Sequence, residues 1–332
     1  MTSLSIKQKA QQYVVLTGMA LFIGLLVGAI DMIFGQGLLL IGDFRSQHWP
    51  LILFLSLAGL VIVYLYKRFG GKASKGMGLI FDVGHAREEK IPLVLVPLIM
   101  LTTWMSHLFG GSVGREGVAV QIGATLSHRF ARHIKIPDAS RIFLMTGMAA
   151  GFAGLFQTPL AATFFALEVL TVGELQLMAL YPALIASIVA SFTSHALGLE
   201  KFAVPLKETL SWTPETLIKV ALLGLAFGLA GKFFAVSLSW LKKTVAQVLP
   251  NPYIRIAVIG AGLSLVLLTF QLTKVGTYSG LGTNLIDVAF HQGSAQCYDW
   301  ILKLLFTVVT ISAGYQGGEV TPLFAIGATL GV

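Results

Sequence analysis

Long runs of apolar residues, rather than an alternation of apolar and polar positions, dominate this sequence. A run of about 18 or more apolar residues is typical of a transmembrane helix, because it can cross the hydrocarbon core of a bilayer. The runs that predict spans cover residues 13–32, 51–65, 91–105, 177–197, 217–241, 254–270 and 300–311. Further apolar stretches, between 116 and 170 and after 282, are interrupted by glycine or proline and are predicted to be too short to span. The pattern therefore predicts an all-α polytopic membrane protein.

Composition supports the membrane prediction and excludes several kinds of site. The chain is 55% hydrophobic and 11% charged. Lys7 and Lys9 precede the first apolar run, but no small-residue cleavage site follows it, so we expect a retained helix rather than a signal peptide. The single cysteine, Cys297, excludes an internal disulfide bond and a cysteine-based metal site. No cofactor is implied.

Basic residues are concentrated in a few segments. They are Lys7 and Lys9; Lys67, Arg68, Lys72, Lys75, Arg87 and Lys90; Arg129, Arg132, Lys135 and Arg141; and Lys242 with Lys243. The segments 34–49 and 198–216 are close to neutral. The positive-inside rule then places an N-terminal segment, 1–12, and the basic loops in the cytoplasm. This topology accounts for the formal net charge of +8, so no nucleic-acid partner is predicted.

An internal repeat divides the chain. The letters I-G-A-T-L occur at 122–126 and again at 326–330, an offset that also relates Gly76-Met77-Gly78 to Gly280-Leu281-Gly282. We predict a first membrane repeat at 13–198, an external connecting loop at 199–216 and a second repeat at 217–332. Because the first repeat begins inside and the second outside, their topologies should be inverted. The offset also predicts a counterpart of the block at 148–168 beyond Val332, so the second repeat is expected to be incomplete.

Glycine-rich turns suggest where a substrate binds. Inverted repeats with glycine-interrupted half-helices place a site near the midplane, where helix N-termini converge. Each N-terminus offers unpaired N–H groups and roughly half a positive charge, which favours an anion. The turns that can begin such helices are Gly76-Met77-Gly78, G-R-E-G at 114–117 and G-G-E-V-T-P at 317–322. The sequence therefore predicts transport of an anion rather than a cation.

The motifs on these turns resemble those of a known family. G-R-E-G followed by V-A-V-Q-I-G is similar to the G-[KR]-E-G motif of the CLC anion channels and transporters, and the block at 148–168 and G-G-E-V-T-P-L-F-A-I-G resemble later motifs in the family's order. The resemblance runs from about residue 14 to 332. It implies the CLC fold, with two inverted repeats and re-entrant helices, a homodimer, and a location in the plasma membrane with lipid as the surrounding partner.

Departures from the chloride-handling pattern point to one branch of the family. Those members carry Gly-Ser-Gly-x-Pro at the first turn, where this chain has Met77 in place of serine, and a proline where it has Val118. The third turn reads Glu319-Val320-Thr321. These features resemble the fluoride-exporting CLC-F branch, which implies a fluoride/proton antiporter with fluoride and protons as its partners. A chloride/proton exchanger and a passive anion channel of the same fold are the alternatives.

The resemblance also implies roles for individual residues. The implied anion-binding positions are Gly76, Met77, Gly78, Gly114, Arg115, Gly117, Val118, Gly318, Val320 and Thr321. The hydroxyl of Thr321 can replace water around a strongly hydrated ion, and Val320 would form a nonpolar wall. Met77 could instead be ordinary packing, and Tyr315 is expected to be a packing or interfacial aromatic.

Two glutamates are the predicted transport and gating residues. By resemblance, Glu116 is an external gate that occupies the anion path when ionised and leaves it when protonated, and Glu319 is the central glutamate of the proton route. An ionisable residue at membrane depth is costly and is a functional candidate by default, although either glutamate could be a helix-start charge. Glu168 is expected to be structural, because Val169 occupies the second position of the paired glutamates found in proton-coupled chloride members.

An enzyme is a remote alternative. Gly110-Gly111-Ser112-Val113-Gly114 matches G-x-S-x-G, which with His107 or His195 would sketch an intramembrane serine protease. That elbow belongs after a strand, however, and a protease explains neither the repeat nor the two glutamates. We therefore predict that the chain is not an enzyme.

Overall fold

The computed structural model describes residues 6–171, 173–204, 211–273, 278–292 and 294–332. Within these ranges the regular structure is entirely helical, apart from one isolated antiparallel bridge between Gly114 and Gly318. Parts of the predicted segments 1–12 and 199–216, namely residues 1–5 and 205–210, lie outside the described residues. The predicted repeat boundaries remain predictions.

The described chain forms thirteen α-helices. They are α1 Ile6–Gln47, α2 Leu55–Leu65, α3 Met77–Gly84, α4 Leu95–Leu108, α5 Glu116–Ala131, α6 Ala139–Phe156, α7 Pro159–Glu168, α8 Leu180–Ala196, α9 Pro214–Val248, α10 Pro252–Thr273, α11 Thr283–Asp287, α12 Asp299–Ala313 and α13 Val320–Leu330. Short 3-10 or π turns lie at Trp49–Phe54, Tyr66–Gly70, Gly71–Lys75, Leu177–Ala179 and Val288–Gln292.

The chain divides into two compact units. Unit one contains Met1–Leu39, Tyr66–Met100 and Glu116–Phe202, and unit two contains Leu40–Leu65, Leu101–Arg115 and Ala203–Val332.

In the described part of the chain, six helical segments are long and apolar enough to cross a membrane. They are Ala10–Gln47, Trp49–Gly84, Ala139–Phe156, Leu177–Ala196, Pro214–Val248 and Pro252–Leu272. The spans predicted at 91–105 and 300–311 are wrong. The runs at 91–105 and 300–311 lie in α4 and α12, whose 14 and 15 residues are shorter than the roughly 20 that a bilayer requires.

The prediction of a broken segment between 116 and 170 is also wrong for Ala139–Phe156, which is one continuous helix of 18 residues. Its glycines do not interrupt it because they face a neighbouring helix. Gly147 and Gly151 of α6 lie so close to the carbonyl oxygens of Gly123 and Ala119 of α5 that neither could carry a Cβ atom. The hydroxyl of Ser127 also donates a hydrogen bond to the carbonyl of Phe143.

These contacts define the register of α5 against α6. Residues 127, 123 and 119 face 143, 147 and 151, so the two helices are antiparallel and meet at every fourth residue. Contacts between small residues allow backbones to approach closely, which is a common way to pack helices in membranes. Helix α6 is accordingly the centre of unit one.

Helix α1 packs against α8 in parallel. Gly24 faces Ala186 and Val189, and Gly28 faces Ala190 and Thr193, so both helices advance in the same direction. Two hydrogen bonds continue this register. The hydroxyl groups of Thr17 and Tyr181 are 2.8 Å apart, and the amide of Gln36 donates to the carbonyl of Gly198 at 2.6 Å.

Unit two is built around α10 and α12. Helix α10 packs on the segment that contains α2, where Ser56 donates to the carbonyl of Ala257 and Ser264 donates to that of Ile52, each at 2.8 Å. Helix α12 packs between α9 and α13. Their buried apolar cluster consists of Val113, Phe234, Leu238, Leu304, Val308, Ile311 and Ile326.

Replacement of Gly147 by alanine is expected to lower thermal stability. The new methyl group would overlap the Gly123 carbonyl, and overpacking costs about 1–3 kcal/mol, against about 1 kcal/mol that alanine gains over glycine inside a helix. The measurement is the temperature at which detergent-solubilised protein loses its monodisperse chromatographic peak. Gly228→Ala in α9 is the matched control, because no heavy atom lies within 4 Å of its added Cβ. Equal melting of Gly147→Ala and the wild type would contradict the packing argument.

Candidate anion and proton site

The first predicted turn begins a helix in unit one. Gly76 is the N-cap of α3 and has φ of +53°, a conformation that favours glycine. Met77, the first residue of α3, is partly exposed, and Gly78 is exposed. Gly76 faces the side-chain oxygen of Gln121 from α5, which lies 3.4 Å from the position of a Cβ atom. Gln121 was not singled out by the sequence analysis.

An exposed charge cluster flanks this turn. Lys72 donates to a carboxylate oxygen of Glu88 at 2.6 Å, and Lys75 bridges Asp82 at 3.0 Å and Glu88 at 3.3 Å. The hydrogen bonds from Lys72 and then Lys75 hold the pKa of Glu88 below its ordinary value. Pairs of this kind at a surface contribute little to stability, so the cluster mainly restrains the segment that leads into the turn.

Glu116 is the first residue of α5 and is 1% exposed. The N–H groups of the first helical turn have no partner within the helix, and their partial positive charge favours a carboxylate at this end. Val118 is fully buried beside it, whereas Gly117 is partly exposed. A buried carboxyl at a helix N-terminus is the arrangement that competition with an anion requires.

The other two predicted turns are joined within unit two. The N–H of Gly114 donates to the carbonyl of Gly318 at 2.6 Å, and the N–H of Gly318 donates to the carbonyl of Gly114 at 2.8 Å. Gly317 packs against Val113 with no room for a side chain. Gly114 and Gly318 therefore bond their N–H groups to each other's carbonyl oxygens, and this bridge fixes the two turns.

The residues that follow Gly318 differ in exposure. Thr321 is 3% exposed and Val320 is partly exposed. Glu319 is the N-cap residue of α13 and is exposed, without a side-chain capping hydrogen bond. Its role as the central glutamate of the proton route stays a prediction. Thr321 and Pro322, which follow it in α13, are buried.

Arg115 joins the two units in sequence, immediately before Glu116. It is 4% exposed and lies in the loop that follows α4. His107, at the end of α4, is also buried, and its Nε2 atom is 3.4 Å from the carbonyl oxygen of Gly114. The end of α4 and the loop that precedes α5 therefore carry two buried polar residues of unit two, His107 and Arg115.

Lys303 is a buried residue that the sequence analysis missed. Its ammonium group is fully buried and donates to the carbonyl of Gly280 at 2.7 Å, the hydroxyl of Ser112 at 2.9 Å and the carbonyl of Tyr278 at 3.2 Å. These bonds use all three donors of the side chain. They hold the repeated turn at 280–282 against the loop that leads to Gly114. A lysine within the apolar run 300–311 was the available signal.

The serine-protease alternative finds no support in this geometry. Ser112 follows a helix rather than a strand, is fully buried, and its hydroxyl is bonded to Lys303 and lies 3.0 Å from that of Thr307. His107 contacts the carbonyl of Gly114 instead.

Tyr315 is buried, whereas Glu168 is exposed. Tyr315 is 3% exposed, and its hydroxyl donates to the carbonyl of Leu55 at 2.8 Å. The absence of side chains at Gly59 and Gly260 makes room for it, so it is a packing residue rather than an interfacial one. Glu168 is the last residue of α7 and is exposed.

Known proteins resemble this chain over most of its length. The profile of the family described as Voltage gated chloride channel matches residues 58–332. The "Chloride/fluoride channel protein" of Pseudomonas syringae pv. tomato is 36% identical over 315 residues, covering 93% of this chain and 69% of the relative. The "Voltage-gated ClC-type chloride channel ClcB" of Salmonella typhimurium is 24% identical over 253 residues, covering 76% of this chain and 58% of the relative.

Solved structures show the same fold. One described as a CLC-type fluoride/proton antiporter has a TM-score of 0.92 and 47% identity, and covers 99% of this chain and 82% of its own. A slow cyanobacterial Cl-/H+ antiporter has a TM-score of 0.78 at 20% identity, over 94% of this chain and 76% of its own.

These findings confirm the predicted fold and the prediction of a multi-pass membrane transport protein rather than an enzyme. A family profile matches residues 58–332, and a relative is 36% identical over 93% of this chain. The chain therefore belongs to the CLC family of voltage gated chloride channels and their transporter relatives.

Proposed function

We propose that this protein exports fluoride from the cytoplasm in exchange for protons. The observation that carries the proposal is the 47% identity, over 99% of the chain, to a structure described as a CLC-type fluoride/proton antiporter. The buried carboxyl of Glu116 at the start of α5 supplies a group that can couple the two ions.

The proposed anion-binding positions are the starts of α3 and α5 in unit one and the start of α13, with the turn before it, in unit two. The implied positions are Gly76, Met77 and Gly78; Gly114, Arg115, Gly117 and Val118; and Gly318, Val320 and Thr321. Helix N-termini attract an anion without requiring a lysine in direct contact. Fluoride is small and strongly hydrated, so hydroxyl and N–H donors must replace its water. The buried position of Thr321 supports its hydroxyl as one such donor.

Coupling arises from competition between Glu116 and the anion. When ionised, the carboxylate occupies the N-terminus of α5 and excludes the anion. When it takes up a proton, its attraction to the helix dipole is lost, and the anion can replace it. Release of the proton on the other side returns the carboxylate to the helix end. A carboxyl group that alternates in this way makes access of the anion depend on uptake and release of a proton, which links the movements of the two ions.

Glu319 is proposed as the second proton-carrying residue. Its exposed position at the start of α13 supports exchange of protons with the surroundings of unit two. Glu168, exposed at the end of α7, has no part in the proposed route.

The surroundings of the protein follow from the same proposal. The basic clusters support a cytoplasmic N-terminus in the plasma membrane, with the predicted repeats 13–198 and 217–332 inverted. Family resemblance supports a homodimer within the lipid bilayer. A passive anion channel is the second candidate, because the relative from Pseudomonas syringae is described as a channel.

Efflux from liposomes tests the ion and the coupling together. Vesicles that contain the purified protein and are loaded with either fluoride or chloride should release fluoride about tenfold faster or more, which corresponds to roughly 1.4 kcal/mol of preference. A pH electrode in the same suspension should record proton uptake with fluoride release. Chloride efflux as fast as fluoride efflux would contradict the fluoride assignment, and fluoride efflux without proton movement would favour the channel.

The carboxylates are tested by replacement with glutamine, which keeps the shape of the side chain but cannot bind a proton. Glu116→Gln and Glu319→Gln should each reduce proton uptake per fluoride by about tenfold or more, the low end of what a positioned proton-transfer group contributes. Glu168→Gln is the matched control and should behave as the wild type. Undiminished coupling in either of the first two variants would assign that glutamate a structural role.

Selectivity at the first turn is tested at Met77. The hydroxyl introduced by Met77→Ser, worth about 1 kcal/mol as a hydrogen-bond donor, should raise chloride efflux relative to fluoride about fivefold. Met77→Leu keeps an apolar side chain and should leave the ratio of the two rates unchanged. If the serine variant also keeps the wild-type ratio, Met77 only packs.

A further inference from the structure

Asp31 is a carboxyl group buried inside a membrane span. It lies in the middle of the apolar segment Ala10–Gln47 of α1 and is fully buried. Within the described part of the chain, neither of its carboxyl oxygens has a hydrogen-bond partner. Ionised residues inside membranes are costly and normally paired, so an acid in this position is a candidate for function rather than for stability.

The room that Asp31 occupies is provided by α6. The Oδ2 atom of Asp31 lies against Gly154 of α6, and a Cβ atom at that position would overlap it. Gly154 has no side chain, so it cannot donate a side-chain hydrogen bond to the Asp31 carboxyl group. A protonated carboxyl suits these surroundings better than an ionised one, since burying an unpaired charge is far more costly than burying a neutral group.

The charged groups around Asp31 are few. On α6 the one residue with a charge is Arg141, thirteen positions from Gly154 and about 20 Å along the helix. On α8 the parallel register brings Ser194 and His195 to the level of Asp31, and His195 is exposed. Glu200 and Lys201 follow in the next segment, and Asp43 and Arg45 lie three turns further along α1. His195 is therefore the titratable group that α8 brings to the level of Asp31.

The register of α5 against α6 places Asp31 at the depth of the gate. Residues 123 and 119 face 147 and 151, so the next step along the antiparallel pair brings 115 to 155 and Glu116 to the level of Gly154. Gly154 is the residue that Asp31 touches. Two carboxyl groups of unit one, both buried, thus stand at one level on helices that both pack against α6.

The geometry points to Asp31 as a second proton-binding carboxyl of unit one, whose charge state is linked to that of Glu116 across α6. This inference rests on the proposed exchange of an anion for protons. Two carboxyl groups that interact bind protons as a pair, because ionisation of one opposes ionisation of the other. An ionised Asp31 would therefore keep Glu116 protonated to higher pH, and both protons come from, and return to, water.

The pH dependence of fluoride efflux tests this link. Asp31→Asn removes the second carboxyl but keeps its size, so Glu116 should lose its proton more readily. The efflux curve should become less steep, and its midpoint should move to lower pH by about half a unit or more. Asp31→Glu retains a carboxyl group and should keep the wild-type steepness, but with a displaced midpoint because the longer side chain no longer fits over Gly154. Asp43→Asn, an exposed position on the same helix, is the matched control and should match the wild type.

The possible outcomes separate the inference from the proposed function. Wild-type steepness and midpoint in a folded Asp31→Asn variant would overturn the role of Asp31 while leaving the exchanger intact. If that variant does not fold, an unchanged midpoint in Asp31→Glu overturns it equally. If the wild type moves fluoride without protons, the exchange proposal fails, and the pH curves of fluoride efflux alone still decide whether Asp31 is linked to Glu116.

Discussion

The paired hydrogen bonds between Gly114 and Gly318 are the interaction on which the candidate site of unit two depends. Backbone groups inside a membrane must find partners within the protein, because hydrocarbon offers none. The turn that precedes α13 is secured in this way by another part of the chain. The two hydrogen bonds of this bridge measure 2.6 and 2.8 Å. The helix that follows this turn begins with Glu319 as its N-cap and with Thr321 buried.

Buried polar residues in the two units illustrate two different solutions to the same constraint. Lys303 is fully buried, but each of its donors has an acceptor, so it holds two loops of unit two together. Asp31 is equally buried in unit one and has no such partners in the described chain. A satisfied buried group rigidifies its surroundings, whereas an unsatisfied one remains able to change its protonation state. The first is a structural device, and the second is available for transport.

Close contacts between small residues explain where the hydropathy pattern misled. Gly147, Gly151 and Gly154 interrupt the apolar run of α6 and suggested a broken helix, yet each faces a neighbour that occupies the space of a side chain. The runs at 91–105 and 300–311 led to the opposite error. They are apolar enough to predict a span, but the helices they form are too short for one. Hydropathy reports only whether a residue avoids water, so it does not distinguish a lipid-facing surface from a helix packed inside the protein.

The sequence by itself determined the membrane environment, the family and the starts of the three critical helices, because glycine-rich turns and apolar runs are local features. It also identified Glu116, since a carboxylate between two glycines is conspicuous in an apolar chain. Only the tertiary structure decided that Gly114 and Gly318 bind each other and that Glu319 is exposed. It also decided that Lys303 and Asp31 are both buried, Lys303 with hydrogen-bond partners and Asp31 without them in the described chain. Those properties depend on contacts between residues far apart in the chain, and no local pattern of residue types encodes which donor meets which acceptor.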